Sequence, residues 1–160
     1  MAGTAPIRVL MVCMGNICRS PTAEGVLRTR AAREAPGLAL EIDSAGTHDY
    51  HVGEAPDRRS QAAARAHGYE LGHLRARLLT GPDFKHFDYI LVADRDNLQA
   101  AQALVPEAPR AQLQLLLDYA PGQALREVPD PYYGGPADFE RVIALCEQAA
   151  RGLLAHLQAR

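Results

Sequence analysis

Apolar positions along the chain switch between the period of a strand and that of a helix, and the switches divide it into alternating elements. The apolar run Ile7 to Val12, broken only by Arg8, predicts a first strand. Ser20 followed by Pro21 reads as a helix start. From Pro21 to about Glu34, Ala23, Val26, Leu27 and Ala31 recur on one face until Pro36-Gly37 stops the helix. Leu38 to Ala45, with Leu40 and Ile42 alternating against polar neighbours, predicts a second strand. Ser44-Ala45-Gly46-Thr47 then opens a long loop through Tyr50, His51, Gly53 and Pro56. Arg58 to His67 is helical in composition and ends at Gly68, whereas Tyr69 to Thr80 has no clear period and reads as irregular. After the turn at Gly81-Pro82 comes a short helix over Asp83 to His86, followed by the unbroken run Tyr89 to Ala93, the mark of a strand covered on both faces. Asp94 caps a helix with the apolar stripe Leu98, Ala101 and Leu104, and Gln112 to Leu117 predicts a fourth strand. The proline- and glycine-rich stretch from Pro129 to Pro136 is a shaped loop. A final helix carries Phe139, Val142, Ile143, Cys146, Ala149, Leu153 and Leu157 at helical spacing.

Strands alternating with helices predict an α/β fold: right-handed crossovers, a parallel sheet, and helices on both of its faces. Ligands of such sheets bind at the carboxyl ends of the strands, where the strand order reverses. At 160 residues, residues 1–160 are expected to form one domain. A net charge of −2 gives no global attraction for nucleic acid or an anionic membrane, so any strong anion site has to be local. The segment Met1 to Pro6 lacks the basic and apolar parts of a leader, and three unevenly spaced cysteines do not make a disulfide framework. Both features point to the cytoplasm.

The junction between the first strand and the first helix holds the chemistry. Cys13 sits where the strand ends, and Arg19 follows after five residues. A cysteine is nucleophilic as its thiolate, which positive charge and a helix N-terminus both favour. Five intervening residues let the backbone curl so that successive N–H groups point inward and receive a tetrahedral oxyanion, while Arg19 grips two of its oxygens. Gly15 and Asn16 tolerate the positive φ that such a curl requires. Ser20 supplies a hydroxyl for the sulfur, and apolar Ile17 suits a flat, uncharged substrate group.

The stretch Val12-Cys13-Met14-Gly15-Asn16-Ile17-Cys18-Arg19-Ser20-Pro21 resembles the active-site signature of the low-molecular-weight protein tyrosine phosphatases. Asp130-Pro131-Tyr132-Tyr133 and Ser44-Ala45-Gly46-Thr47 match that family's pattern too. The resemblance implies a four-stranded parallel sheet in a single domain and hydrolysis of phosphotyrosine through a cysteinyl-phosphate. Cys13 would be the nucleophile, Arg19 the phosphate binder and Asp130 the general acid and base. Met14 to Cys18 and Ser20 would surround the phosphate, and Tyr50, Tyr132 and Tyr133 the phenyl ring. The resemblance also implies that Ser44 and His73 hold Asn16, and that Cys18 forms a reversible disulfide with Cys13. His73 is separated from Arg75-Ala76-Arg77 by one residue more than is usual in the family. Neither a metal nor a cofactor is expected. The expected partners are a phosphotyrosine protein or a small aryl phosphate, and the expected state is a monomer or weak dimer.

Other functions are open on the same pattern. An arsenate reductase of this fold needs two further cysteines in mid-chain, and none stands between Cys18 and Cys146. Phosphoarginine phosphatases of the family carry threonine where this chain has Ile17. A non-catalytic phosphate-binding module has no use for Arg19 together with Asp130. Blander readings stand beside the sharp ones: Cys18 as a buried structural thiol, Cys146 as core, Asp94 as a helix cap only, and His48, His51, His67, His86 and His156 as surface or turn residues.

Overall fold

The strands of the computed structural model form one parallel sheet in the order β2-β1-β3-β4. It describes residues 5–160, so the first four residues of the segment read for a leader lie outside it. The elements are β1 Ile7–Cys13, α1 Arg19–Glu34, β2 Leu40–Gly46, α2 Arg58–Ala66, α3 Asp83–His86, β3 Tyr89–Val92, α4 Arg95–Gln102, β4 Gln112–Leu115 and α5 Pro136–Gln158. A 3-10 turn, Leu116–Tyr119, follows β4.

Strand β1 is covered on both sides, and its side chains sort by parity. Val9, Met11 and Cys13 pack into the layer built by α1 and α5, with Val26, Leu27, Ile143 and Leu153. Leu10 and Val12 face the opposite layer, with Phe84 of α3, Ala101 of α4, and Ile90 and Val92 of β3. This is why the run reads as continuously apolar. All seven predicted stripe positions of α5 are buried, Cys146 among them.

Chain direction across the sheet reverses beside β1, since β2 lies on one side and β3 on the other. The carboxyl ends of β1 and β3 therefore meet at a crevice, with Val12 opposite Val92 and Cys13 opposite Gly46 of β2. No helix among the described residues is long and apolar enough to cross a membrane.

Three local expectations are corrected. Helix α1 begins at Arg19 with Cys18 as its cap residue, so Ser20 is not the N-cap. Its hydroxyl is drawn under the loop instead, and Pro21 still falls in the first turn, where no helical N–H bond is lost. Strand β4 stops at Leu115, because Leu116 and Leu117 turn into the core beneath α5. Helix α4 ends at Gln102, which leaves Leu104 exposed rather than on a buried stripe.

Candidate active site

The loop 14–18 curls between β1 and α1 and is fastened on every side. Asn16 is its pivot, with φ of +58°, the left-handed region that asparagine adopts more readily than most residues. Its Nδ2 donates to Ser20 Oγ at 2.7 Å and to Ser44 Oγ at 3.0 Å, and its Oδ1 accepts the Arg77 backbone N–H at 3.0 Å. The Asn16 side chain thus has partners for both amide hydrogens and for its oxygen, and none of them is His73. His73 is exposed, in the turn before Arg75. The predicted support from His73 is replaced by a main-chain amide.

Below this pivot Ser44 Oγ donates to Glu24 Oε1 at 2.7 Å, and Arg28 Nη2 donates to the other carboxylate oxygen at 2.5 Å. Burial raises the Glu24 carboxyl above its ordinary value despite these two bonds. Gly46 admits the loop: a Cβ there would lie 2.7 Å from the Met14 carbonyl oxygen. Beyond it Thr47 and His48 donate their N–H groups to the carbonyls of Cys13 and Met14, both at 2.9 Å.

Cys13 Sγ lies 3.1 Å from Ser20 Oγ, and no side chain caps the start of α1. Arg19 is buried; its Nη1 donates to Asp94 Oδ2 at 2.6 Å and to the Val128 carbonyl at 2.9 Å, while Nη2 comes within 3.8 Å of Asp130 Oδ2. Burial opposes its charge, but the Cys13 sulfur and the Asp94 carboxylate outweigh this and hold the guanidinium above its usual value. Asp94 also caps α4, accepting the Asn97 N–H on Oδ1 at 2.8 Å. Val128 donates its own N–H to the Ala93 carbonyl at the end of β3, which ties the Asp130 loop to the sheet. Asp130 remains 42% exposed.

A cleft of about 290 Å³ opens above Cys13. Of the residues singled out from sequence, Cys13, Met14, Gly15, Ile17, Cys18 and Arg19 line it from the loop side, and Tyr50, Asp130, Tyr132 and Tyr133 from the rim. Tyr132 and Tyr133 stand edge to face, ring centroids 5.0 Å apart, and Tyr133 is 97% exposed. His51, read from sequence as a surface or turn residue, also lines the cleft, and it packs over Gly15, where a Cβ would sit 3.0 Å from the ring. Cys18 is buried and unpaired, its thiol pushed up to about 12, chiefly by burial.

A thiol and a buried guanidinium lining one cleft, with a half-exposed carboxyl and aromatic side chains around them, are equipped to hold a tetrahedral anion that carries a flat group. Residues 8–160 match the family model described as low molecular weight phosphotyrosine protein phosphatase. The chain belongs to that family. It is 44% identical over 151 residues to the low molecular weight protein-tyrosine-phosphatase of Streptomyces coelicolor, covering 92% of each chain. To the human low molecular weight phosphotyrosine protein phosphatase it is 40% identical over 156 residues, covering 96% of this chain and 98% of the other. Its fold superposes on a crystal structure of a protein tyrosine phosphatase from Entamoeba histolytica with a TM-score of 0.91. The two are 37% identical, with 96% and 97% of the chains covered. Membership makes this phosphatase a hydrolase.

Sequence alone marks Asp94 only as a helix cap, Glu24 and Arg77 not at all. A carboxylate directly after the strand next to β1 is the one signal that pointed to the Arg19 contact. Glu24, four residues after Ser20 and amid the apolar positions of α1, is a polar residue on a buried face.

Proposed function

We propose that this phosphatase hydrolyses phosphotyrosine monoesters, and small aryl phosphates, through a cysteinyl-phosphate. The phosphate sits in the loop 14–18, against the uncapped start of α1, with two of its oxygens on Arg19. Because Arg19 Nη1 is taken by Asp94 and Val128, its other edge is the one available to the substrate. Cys13 sulfur attacks phosphorus as the bond to the phenolic oxygen breaks, and Asp130 gives that oxygen its proton. Water then attacks phosphorus and Asp130 takes up its proton. The sulfur–phosphorus bond breaks, so inorganic phosphate leaves and the thiolate returns. Arg19 and the loop amides hold the charge on the equatorial oxygens in both steps. Ile17, Tyr50, Tyr132 and Tyr133 enclose the ring.

The observation that carries this reading is the approach of Asp130 Oδ2 to Arg19 Nη2 at 3.8 Å, in a cleft that Cys13 also lines. Residues distant in sequence share one cleft. We assign the work to a monomer or weak dimer in the cytoplasm, where three unpaired thiols are kept reduced. The substrate is a phosphotyrosine protein or a small ester, and nucleic acid and membrane are not partners. Hydrolysis of p-nitrophenyl phosphate with a chelator present tests the mechanism. Full turnover in the parent and none in Cys13→Ser is expected; turnover by the serine variant, or dependence on added metal, refutes it.

A further inference from the structure

Arg59 stands outside the reacting trio, on the exposed side of α2, yet its contacts join the two loops the reaction needs. Its guanidinium forks the Asp57 carboxylate, Nε to Oδ1 at 3.1 Å and Nη2 to Oδ2 at 3.0 Å. Asp57 is itself held at two points. As the cap of α2 it accepts the Arg59 backbone N–H at 2.8 Å, and its own N–H donates to the Ile17 carbonyl of the phosphate loop at 2.8 Å. From this seat the Arg59 Cζ lies 4.7 Å from the ring centroid of Phe139 at the start of α5 and 5.4 Å from that of Tyr132. Tyr132 in turn donates its backbone N–H to Asp130 Oδ1 at 3.1 Å. Contacts therefore run without a break from Ile17 through Asp57, Arg59 and Tyr132 to Asp130.

We propose that Arg59 is a positioning residue for the proton-transfer step, setting the spacing between the phosphate loop and the Asp130 loop by holding Tyr132 against Asp57 and α5. The proposal rests on Asp130 being the acid. Only a planar guanidinium can fork a carboxylate and lie against two aromatic rings at once; an ammonium keeps the charge and loses the plane. An exposed ion pair contributes little to stability. The effect of losing Arg59 therefore falls on the reaction more than on folding. A small displacement of an acid relative to its leaving group costs rate heavily when that group needs a proton, and little when it does not.

The test compares kcat/KM for phenyl phosphate, a poor leaving group, with that for p-nitrophenyl phosphate, a good one, in the parent, Asp130→Asn, Arg59→Lys and Arg59→Ala. Inhibition by inorganic phosphate reads the loop independently of the acid. Both Arg59 variants are expected to lose about tenfold or more on phenyl phosphate and clearly less on p-nitrophenyl phosphate. This is a weaker copy of the Asp130→Asn pattern, with phosphate inhibition kept within about twofold. Equal losses on both substrates, or none, overturn the proposal. Should Arg59→Ala fail to fold, Arg59→Lys carries the test. If Asp130→Asn shows no leaving-group preference, the acid assignment falls and takes this proposal with it. If Asp130→Asn is selective and the Arg59 variants are not, only the Arg59 proposal falls.

Discussion

Asp94 accepts a 2.6 Å hydrogen bond from Arg19 on one carboxylate oxygen while capping α4 with the other. One side chain thus anchors both the buried arginine of the cleft and the helix after β3. Removing it leaves a buried guanidinium with the Val128 carbonyl as its remaining close partner. Asp94→Ala should cost about 3 kcal/mol of stability and weaken phosphate inhibition. Asp94→Asn, which keeps an acceptor for the Asn97 N–H, should keep more of the stability than of the phosphate affinity. Urea unfolding and phosphate inhibition measured on both variants separate the two roles; equal effects of Asn and Ala on both readouts would contradict them.

His73→Ala should leave kcat/KM within about twofold of the parent, since surface substitutions away from packed or bonded groups have small effects. Asn16→Ala should lower it by about tenfold or more, because it removes three bonds and sets a β-carbon-bearing residue at φ +58° without asparagine's tolerance. Steady-state kinetics of the two variants decide whether the main-chain amide of Arg77 has taken over the support. A large loss in His73→Ala would restore the histidine.

Gly46→Ala should destabilise the fold by about 1–3 kcal/mol and reduce activity, because the new methyl meets the Met14 carbonyl of the loop at 2.7 Å, and backbone cannot step aside as a side chain can. Thermal unfolding and kcat/KM should fall together; an unaltered variant would mean that the loop has room to move.

Cys18 and Cys146 are both pushed up to about 12 from 9.0, mainly by burial, so both are neutral thiols at pH 7 to 8. Iodoacetamide in that range should label Cys13 before either of them, and added phosphate should slow the labelling; peptide mapping reads the order. Raised values also fix a sign. The unfolded chain loses these protons near pH 9 and the folded chain only near 12, so their contribution is fully present below 9 and is lost as pH rises toward 12. Cys146→Ala should show a shallower alkaline loss of stability than the parent in urea titrations from pH 8 to 11.

Mild peroxide should oxidise Cys13 to the sulfenic acid and so inactivate the phosphatase. Cys18 sulfur then displaces the hydroxyl to give a reversible Cys13 to Cys18 disulfide, a closure faster at pH 9 than at pH 7 because Cys18 has to lose its proton to act. Mapping after oxidation that finds Cys13 over-oxidised and Cys18 untouched would remove Cys18 from that role.

Most of the fold was legible because β1 and β3 are short apolar runs broken only by Arg8, α5 carries a helical stripe, and Pro6 and Pro136 stand at the starts of β1 and α5. The short helix Asp83–His86 matched, as did the start of β3 at Tyr89. Cys13, Arg19 and Asp130 were legible as residue types in a spaced pattern. What stayed hidden depends on which elements become neighbours. The Asp94 grip on Arg19 requires β3 to lie beside β1, and the Arg77 amide that holds Asn16 has no signature, since every residue but proline offers the same N–H. The segment from Tyr69 to Thr80 has no period because its ties to the sheet are of mixed kinds: the Gly46 N–H donates to the Arg77 carbonyl at 2.8 Å, Arg77 pairs with Asp43 of β2, and Leu79 packs beside Leu10 and Val12. His73 was suggested by the family resemblance; it is exposed, and the Asn16 side chain bonds Ser20, Ser44 and the Arg77 amide instead.

The parity of β1 has a further consequence. Val9 and Met11 enter the α1 and α5 layer, and Cys13, two steps on, points the same way. The aim of the sulfur is thus inherited from the fit of the residues before it. Deleting or inserting a single residue between Ile7 and Val12 would exchange the two faces and turn the thiol toward the α3 and α4 side, even with the whole loop sequence preserved. The phase of one strand is, in this protein, part of its catalytic apparatus.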